Sequence, residues 1–143
     1  MIATCIENRK HKLPIRHGDY LPLDGREVVL HPLEVGQAYL VCGVMLFDHG
    51  PRYLLQRDDD EEGPFFAPSS FFRLESRDPL TGWHGGHVLT RFGQTPVFGY
   101  LEFATKPGHF EGLVEYKAED IEIFVLRARE MRQAAGQELA QKW

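Results

Sequence analysis

The chain is poor in cysteine and has no long hydrophobic run. Its two cysteines, Cys5 and Cys42, are too few for a disulfide framework. Cys42 lies in an apolar stretch, where a thiol is expected to stay protonated and unreactive. The sequence has no run of about 18 apolar residues that could span a bilayer, and its opening MIATCIENRKHK lacks the apolar segment of a signal peptide. These absences predict a cytoplasmic protein with reduced thiols.

Positive charge is also scarce. Lys and Arg number 16 against 21 Asp and Glu, which gives a formal net charge of −5. Proteins that bind nucleic acid or anionic membrane surfaces do so with an excess of Lys and Arg, so the charge balance argues against both partners. A mildly acidic chain is instead suited to a basic protein partner.

Motifs for catalysis, cofactors and metals are missing as well. The chain has no phosphate-binding glycine loop, and Ser69 and Ser70 follow a proline rather than occupying a G-x-S-x-G sequence. His84 and His87, in WHGGH, could share a metal ion, but a metal site needs further ligands and none is spaced to join them. The sequence therefore predicts no enzyme activity, no cofactor and no metal.

Short strands followed by one helix dominate the rest of the pattern. The clearest strand signals are GQAYLVCGVMLF, RYLLQ, HVLTRF and VFGYLEFA, with the last two expected to pair across GQTP. In PFFAPSSFFRLE, Pro68-Ser69-Ser70 predicts a single helical turn, after which a strand resumes over Phe71 to Leu74. Gly43, inside the first of these, predicts a bulge or bend. From Tyr116 onwards apolar residues recur at helical spacing, acids precede arginines, and Gly136 is expected to end the helix.

These elements predict a single domain, 1–143, of the mainly β (α+β) class. The expected architecture is a small curled antiparallel barrel with one C-terminal α-helix. Its parts are a barrel-like region over 1–83, a second hairpin over 84–115 and the helix over 116–135. A chain of this length buries about two thirds of its unfolded surface, enough for a hydrophobic core without disulfides.

Two resemblances refine this prediction. A strand, a hairpin and a strand, then APSSFF leading into a final strand, is similar to the end of a Src-homology-three (SH3-like) barrel, which implies that architecture. Across most of its length the chain also resembles small bacterial proteins that look like immunity proteins for polymorphic toxins. The matching stretches, in order, are CIEN, GQAYLVCGV, RYLL, FFAPSSFF, LTGW and EIFVLRAREM. The resemblance does not extend over residues 85–109.

The most unusual stretch is RDDDEEGPFF, in which five acids precede Gly63 and two phenylalanines. A calcium loop needs alternating ligands around a central glycine, so contiguous acids do not fit one. Either a solvated hairpin tip or a docking surface for a basic cleft remains. In the docking interpretation the contacts come from the acids and nearby rings, namely Asp58, Asp59, Asp60, Glu61, Glu62, Phe65, Phe66 and Trp83.

The resemblance and the acidic run together predict an immunity protein. It would bind a cognate toxin that acts in the cytoplasm and occlude its basic active site. The alternative is an SH3-like adaptor that binds another protein without a toxin partner, and an enzyme is the third class.

Overall fold

The computed structural model describes residues 1–7, 33–57, 63–75 and 82–141. Within these ranges, seven strands precede three helices. The strands are β1 (Ile2–Cys5), β2 (Ala38–Phe47), β3 (Gly50–Arg57), β4 (Phe65–Pro68), β5 (Phe72–Leu74), β6 (His84–Thr90) and β7 (Gly93–Gly99). The helices are α1 (Leu101–Thr105), α2 (His109–Val114) and α3 (Ala118–Gln141), and a one-turn 3₁₀ helix, Ser69–Phe71, lies between β4 and β5. The mainly antiparallel β class with a C-terminal helix is thus confirmed.

All seven described strands belong to one antiparallel sheet, and five of them follow the order β4-β3-β2-β1-β5. The 3₁₀ helix carries the chain from β4, at one end of this order, to β5 at the other. Strand β7 pairs with the second half of β2, and β6 pairs with β7. The described strands form an open sheet, because no pairing joins β4 to β5 or to β6. The expectation of a closed barrel was therefore wrong for this part of the chain.

Strand β2 is the centre of the sheet and is bulged, as Gly43 predicted. Its register against β3 shifts between Val41 and Gly43. Since successive side chains on a strand alternate between faces, one inserted residue exchanges the faces of all that follow. Cys42 before the bulge and Met45 after it consequently reach the same hydrophobic cluster.

Two hydrophobic clusters cover the two faces of the sheet. The helix-side core joins residues of β2, β3 and β7 to the helices, including Leu40, Leu54, Val97, Phe103 and Phe124. The second core lies on the opposite face and contains Ala3, Cys5, Leu33, Tyr39, Val41, Leu55, Ala67, Phe71 and Phe72. Because β2 is buried on both faces, its sequence is continuously apolar rather than alternating.

The second hairpin differs in register from the expectation. Its turn is at Arg91 and Phe92, and GQTP lies inside β7 instead of forming the turn. Gly93, the residue directly after this turn, has a left-handed backbone (φ 93°), as in hairpins whose turn is followed by a left-handed glycine. Pro96 is tolerated in the strand because the ladder with β2 stops at the pair Met45–Val97.

The helical part begins earlier and ends later than predicted. Residues 101–105 and 109–114 form α1 and α2, so the predicted strand VFGYLEFA ends at Gly99 and the hairpin does not extend to 115. Helix α3 continues past Gly136 to Gln141. A single glycine costs a helix only about 1 kcal/mol, which the helix-forming residues that follow can offset. In the described residues, no helix combines the length and apolar character needed to cross a membrane.

Candidate protein-interaction face

Half-buried aromatic side chains surround the second core, on the sheet face opposite the helices. Tyr53 of β3, Phe65 of β4 and Trp83, which precedes β6, all pack against this cluster, together with Val44 of β2. Each keeps part of its surface exposed. We refer to Tyr53, Phe65 and Trp83 as the aromatic rim. Two of its three members, Phe65 and Trp83, were predicted from the sequence as partner contacts, and that role remains a prediction.

The polar atoms of the aromatic rim differ in their surroundings. Burial raises the pKa of Tyr53 above its ordinary value, so its phenol stays protonated at neutral pH. The indole Nε1 of Trp83 is buried and has no hydrogen-bond partner among the described residues. Indole nitrogens in protein interiors usually find an acceptor, and one left without it costs about 1–3 kcal/mol. Trp83 is therefore a rim residue whose indole N–H has no acceptor in the part of the chain that the structure describes.

Phe66 lies on the other face of the sheet from Phe65. Adjacent residues of a strand point to opposite sides, and Phe66 packs against the helix-side core. Its ring meets that of Phe110 edge-on, with centroids 5.6 Å apart. The structure therefore does not join Phe65 and Phe66 into one contact surface, as the sequence interpretation had assumed, although both remain partly exposed.

The five acids, Asp58 to Glu62, lie outside the described residues, but both ends of the segment are described. Strands β3 and β4 pair up to Leu55 and Phe65, so the acidic segment joins two adjacent antiparallel strands. The helical layer holds both ends: the Tyr116 hydroxyl donates to the Pro64 carbonyl over 2.8 Å, and Arg132 donates to the Arg57 carbonyl. The segment thus starts and finishes at fixed points of the fold.

A buried polar chain that the sequence interpretation missed connects the three helices. The Tyr100 hydroxyl, just before α1, lies 2.7 Å from Nε2 of His109 at the start of α2. His109 Nδ1 lies 2.7 Å from the Asp120 carboxylate in the first turn of α3. We call Tyr100, His109 and Asp120 the helix-linking network. His109 is completely buried, and the other two are 4% exposed.

The electrostatics of the helix-linking network suit a structural role. Burial opposes ionisation of Asp120, but the hydrogen bond and charge of His109, with Lys106 at 3.6 Å, outweigh it and hold the pKa below its ordinary value. Burial raises the pKa of Tyr100 above its ordinary value. Gly112 makes room for the network, because a Cβ there would collide with the Asp120 carboxylate. A Tyr-His-Asp chain this deeply buried has no access to a substrate.

A cleft of about 320 Å³ lies between β6 and the α1–α2 corner. His87, Lys106 and Glu111 line it, with Phe110 as its largest apolar side chain. The Cys42 thiol lies elsewhere, fully buried, and burial raises its pKa to about 12, so it stays protonated as expected. Within the described ranges, no group of three or more His, Cys, Asp or Glu residues could hold a metal ion.

Spacing in the sequence could not have revealed the helix-linking network. Its members are separated by 9 and 11 residues, a spacing that fits neither one helix nor one strand. A sequence signal did exist for Tyr53, which belongs to RYLL, one of the stretches that carry the resemblance. Comparison with known proteins gives no further guide, because no family model, curated protein or solved structure matches this chain.

Proposed function

We propose that the chain is an immunity-type binding protein that occludes the active site of a toxin acting in the cytoplasm. The observation that carries the proposal is the aromatic rim, three half-buried rings gathered around one cluster on the sheet face away from the helices. Interfaces draw most of their binding energy from a few aromatic or arginine side chains set in well-packed surroundings. Tyr53, Phe65 and Trp83 meet that description.

Charge supports the same proposal. Phe65 lies three residues after the acidic run, in the strand that follows it, so the acids are close in sequence to one ring of the rim. An anionic segment accelerates capture of a partner that has a basic cleft, and this acceleration weakens as salt screens the charges. The acids are thus expected to govern the association rate, and the rings the dissociation rate.

The test uses the protein encoded by the gene adjacent to this one, co-expressed and co-purified with the full chain. Replacing Asp58, Asp59 and Asp60 with Asn should slow association about tenfold at low salt, with little effect at high salt. A control that replaces Glu115, Glu119 and Glu122 with Gln removes the same charge from the helices. If both variants slow association equally, only the net charge of the chain matters, and the acidic run has no specific role in binding.

A second pair of variants separates binding from folding. Trp83→Ala should weaken binding about 30-fold or more, the loss expected when a central aromatic contact is removed. Phe66→Ala should instead lower the melting temperature with little effect on binding by the folded fraction, because Phe66 packs on Phe110. If Trp83→Ala leaves binding unchanged, the rim is not the contact surface.

An SH3-like peptide-binding adaptor is the second candidate. The strand order β4-β3-β2-β1-β5 and the one-turn helix before β5 favour an SH3-like strand path, here within an open sheet. The two candidates differ in the size of their ligand. An adaptor would bind a short extended peptide of its partner as tightly as the whole protein, whereas an immunity protein needs the folded toxin domain.

A further inference from the structure

We propose that two copies of this chain form a two-fold symmetric dimer by pairing the outer edges of β6. Among the described strands, β6 pairs only with β7, so its other edge has no partner strand. Its sequence, HGGHVLT, contains no lysine, arginine, acid or proline. Exposed edge strands are normally protected from association by charges, prolines or bulges. The register of β6 against β7 is also unbroken over its seven residues.

The backbone of β6 offers alternate residues to a new strand. Thr90 and Gly93 are the last register pair before the turn, so Thr90 directs its N–H and C=O groups towards β7. Because hydrogen-bonded pairs alternate along an antiparallel ladder, Gly85, His87 and Leu89 direct their N–H and C=O groups towards the free edge.

The helices leave one face of this edge open. Helix α1 covers β6 at Gly86, where a Cβ would collide with the Ala104 carbonyl. Positions 85, 87 and 89 alternate with Gly86 and therefore project from the opposite face, although His87 and Leu89 also border the cleft beside the α1–α2 corner. All three are exposed, Leu89 by 62%. Phe98, which pairs with Gly85 across the hairpin, is 45% exposed on the same face.

The strand is complementary to itself when all seven residues pair. Full overlap of two antiparallel copies centres the two-fold axis on His87. Leu89 of one copy then faces Gly85 of the other, so on the exposed face a large side chain meets a glycine. The Phe98 ring already lies over Gly85, 3.2 Å from where a Cβ would be. Pairing would therefore place each exposed Leu89 against the second copy's exposed Phe98.

This fit identifies a second copy, rather than an unrelated peptide, as the occupant of the edge. The dimer does not depend on the proposed immunity function, since its contacts lie on β6 and β7. A partner peptide that added to the same edge would have no reason to place a large residue opposite Gly85. It would also leave the isolated chain monomeric.

The experiment measures the mass of the full chain by sedimentation equilibrium over a range of concentrations. Wild type should be in monomer–dimer equilibrium, and Leu89→Lys should weaken association at least tenfold. The control Leu126→Lys introduces the same charge at a leucine of α3 that is 52% exposed, and it should not affect association. A chain that is monomeric at every concentration, or a dimer indifferent to Leu89→Lys, would overturn the proposal.

A cysteine scan tests the register without depending on affinity. In a dimer centred on His87, the two copies of His87→Cys have Cα atoms about 5.5 Å apart, within the range of a disulfide. Two copies of Leu89→Cys are offset by four positions, about 13 Å at 3.3 Å per residue, and cannot reach each other. Oxidation should crosslink His87→Cys and neither Leu89→Cys nor wild type. The reverse pattern, or no crosslink in folded His87→Cys, would contradict this pairing.

Discussion

Removing one hydroxyl from the helix-linking network should cost much more stability than removing a similar one at the surface. Tyr100→Phe deletes a 2.7 Å hydrogen bond to His109, and Tyr116→Phe deletes a 2.8 Å hydrogen bond to the Pro64 carbonyl. The two changes remove the same atom and differ in environment. Tyr100 is 4% exposed and His109 is completely buried, whereas Tyr116 is 58% exposed.

The difference in burial sets the expected magnitudes. After Tyr100→Phe, water cannot replace the hydroxyl, so His109 Nε2 is left without a partner at a cost of about 1–3 kcal/mol. After Tyr116→Phe, water can reach the site, and the loss should be about 0.5 kcal/mol, the low end for a hydrogen bond. For a chain of this size, the Tyr100 variant should melt lower by about 3–10 °C.

Urea denaturation followed by circular dichroism measures both free energies of unfolding. A double variant tests whether the hydrogen bond to His109 causes the loss. In a His109→Leu background, Tyr100→Phe should lower the free energy of unfolding only slightly, because the histidine that would lose its partner is absent. Equal losses for Tyr100→Phe and Tyr116→Phe would refute the argument from burial. An undiminished loss for Tyr100→Phe in the His109→Leu background would refute the hydrogen bond as its cause.

Two further predictions concern Asp120 of the helix-linking network and the packing of α1 on β6. Because the pKa of Asp120 is lower in the folded chain than its ordinary 3.8, its ionised form adds stability above that pH, and the addition is lost as pH falls through the lower folded value. The difference in unfolding free energy between wild type and Asp120→Asn should therefore shrink as the pH falls below 3.8, and a constant difference in acid would contradict this. Gly86→Ala should destabilise the chain by about 1–3 kcal/mol, because its Cβ would meet the Ala104 backbone, whereas Gly85→Ala meets only the movable Phe98 ring. Similar melting temperatures for the two alanine variants would show that α1 does not pack closely on β6.

Local sequence patterns were reliable where a single element determines the outcome. The apolar run containing Cys42 predicted a central strand, and Gly43 predicted its bulge, because both depend on residues close together in the chain. The Pro68-Ser69 step predicted the one-turn helix for the same reason. The C-terminal helix was also predicted, but it ends at Gln141 and not at Gly136 as expected.

The errors occurred where distant contacts override local preference. VFGYLEFA is rich in aromatic and other strand-forming residues, yet the chain turns into α1 after Gly99 because Phe103 packs into the helix-side core. Phe65 and Phe66 are neighbours in sequence but lie on opposite faces of β4, since strand geometry separates them. The alternation of residues along β4 could not show which of the two rings would face the helices.

The sequence by itself determined the class of the fold, the central bulged strand, the inert thiol of Cys42 and the placement of five acids beside a phenylalanine. These follow from composition and from contacts between near neighbours. Only the tertiary structure decided that Tyr53, Phe65 and Trp83 surround one core, that the sheet stays open in its described part, and that Tyr100, His109 and Asp120 meet. Each of these depends on packing between residues far apart in the chain, where burial and complementary shape, rather than local spacing, select the partners.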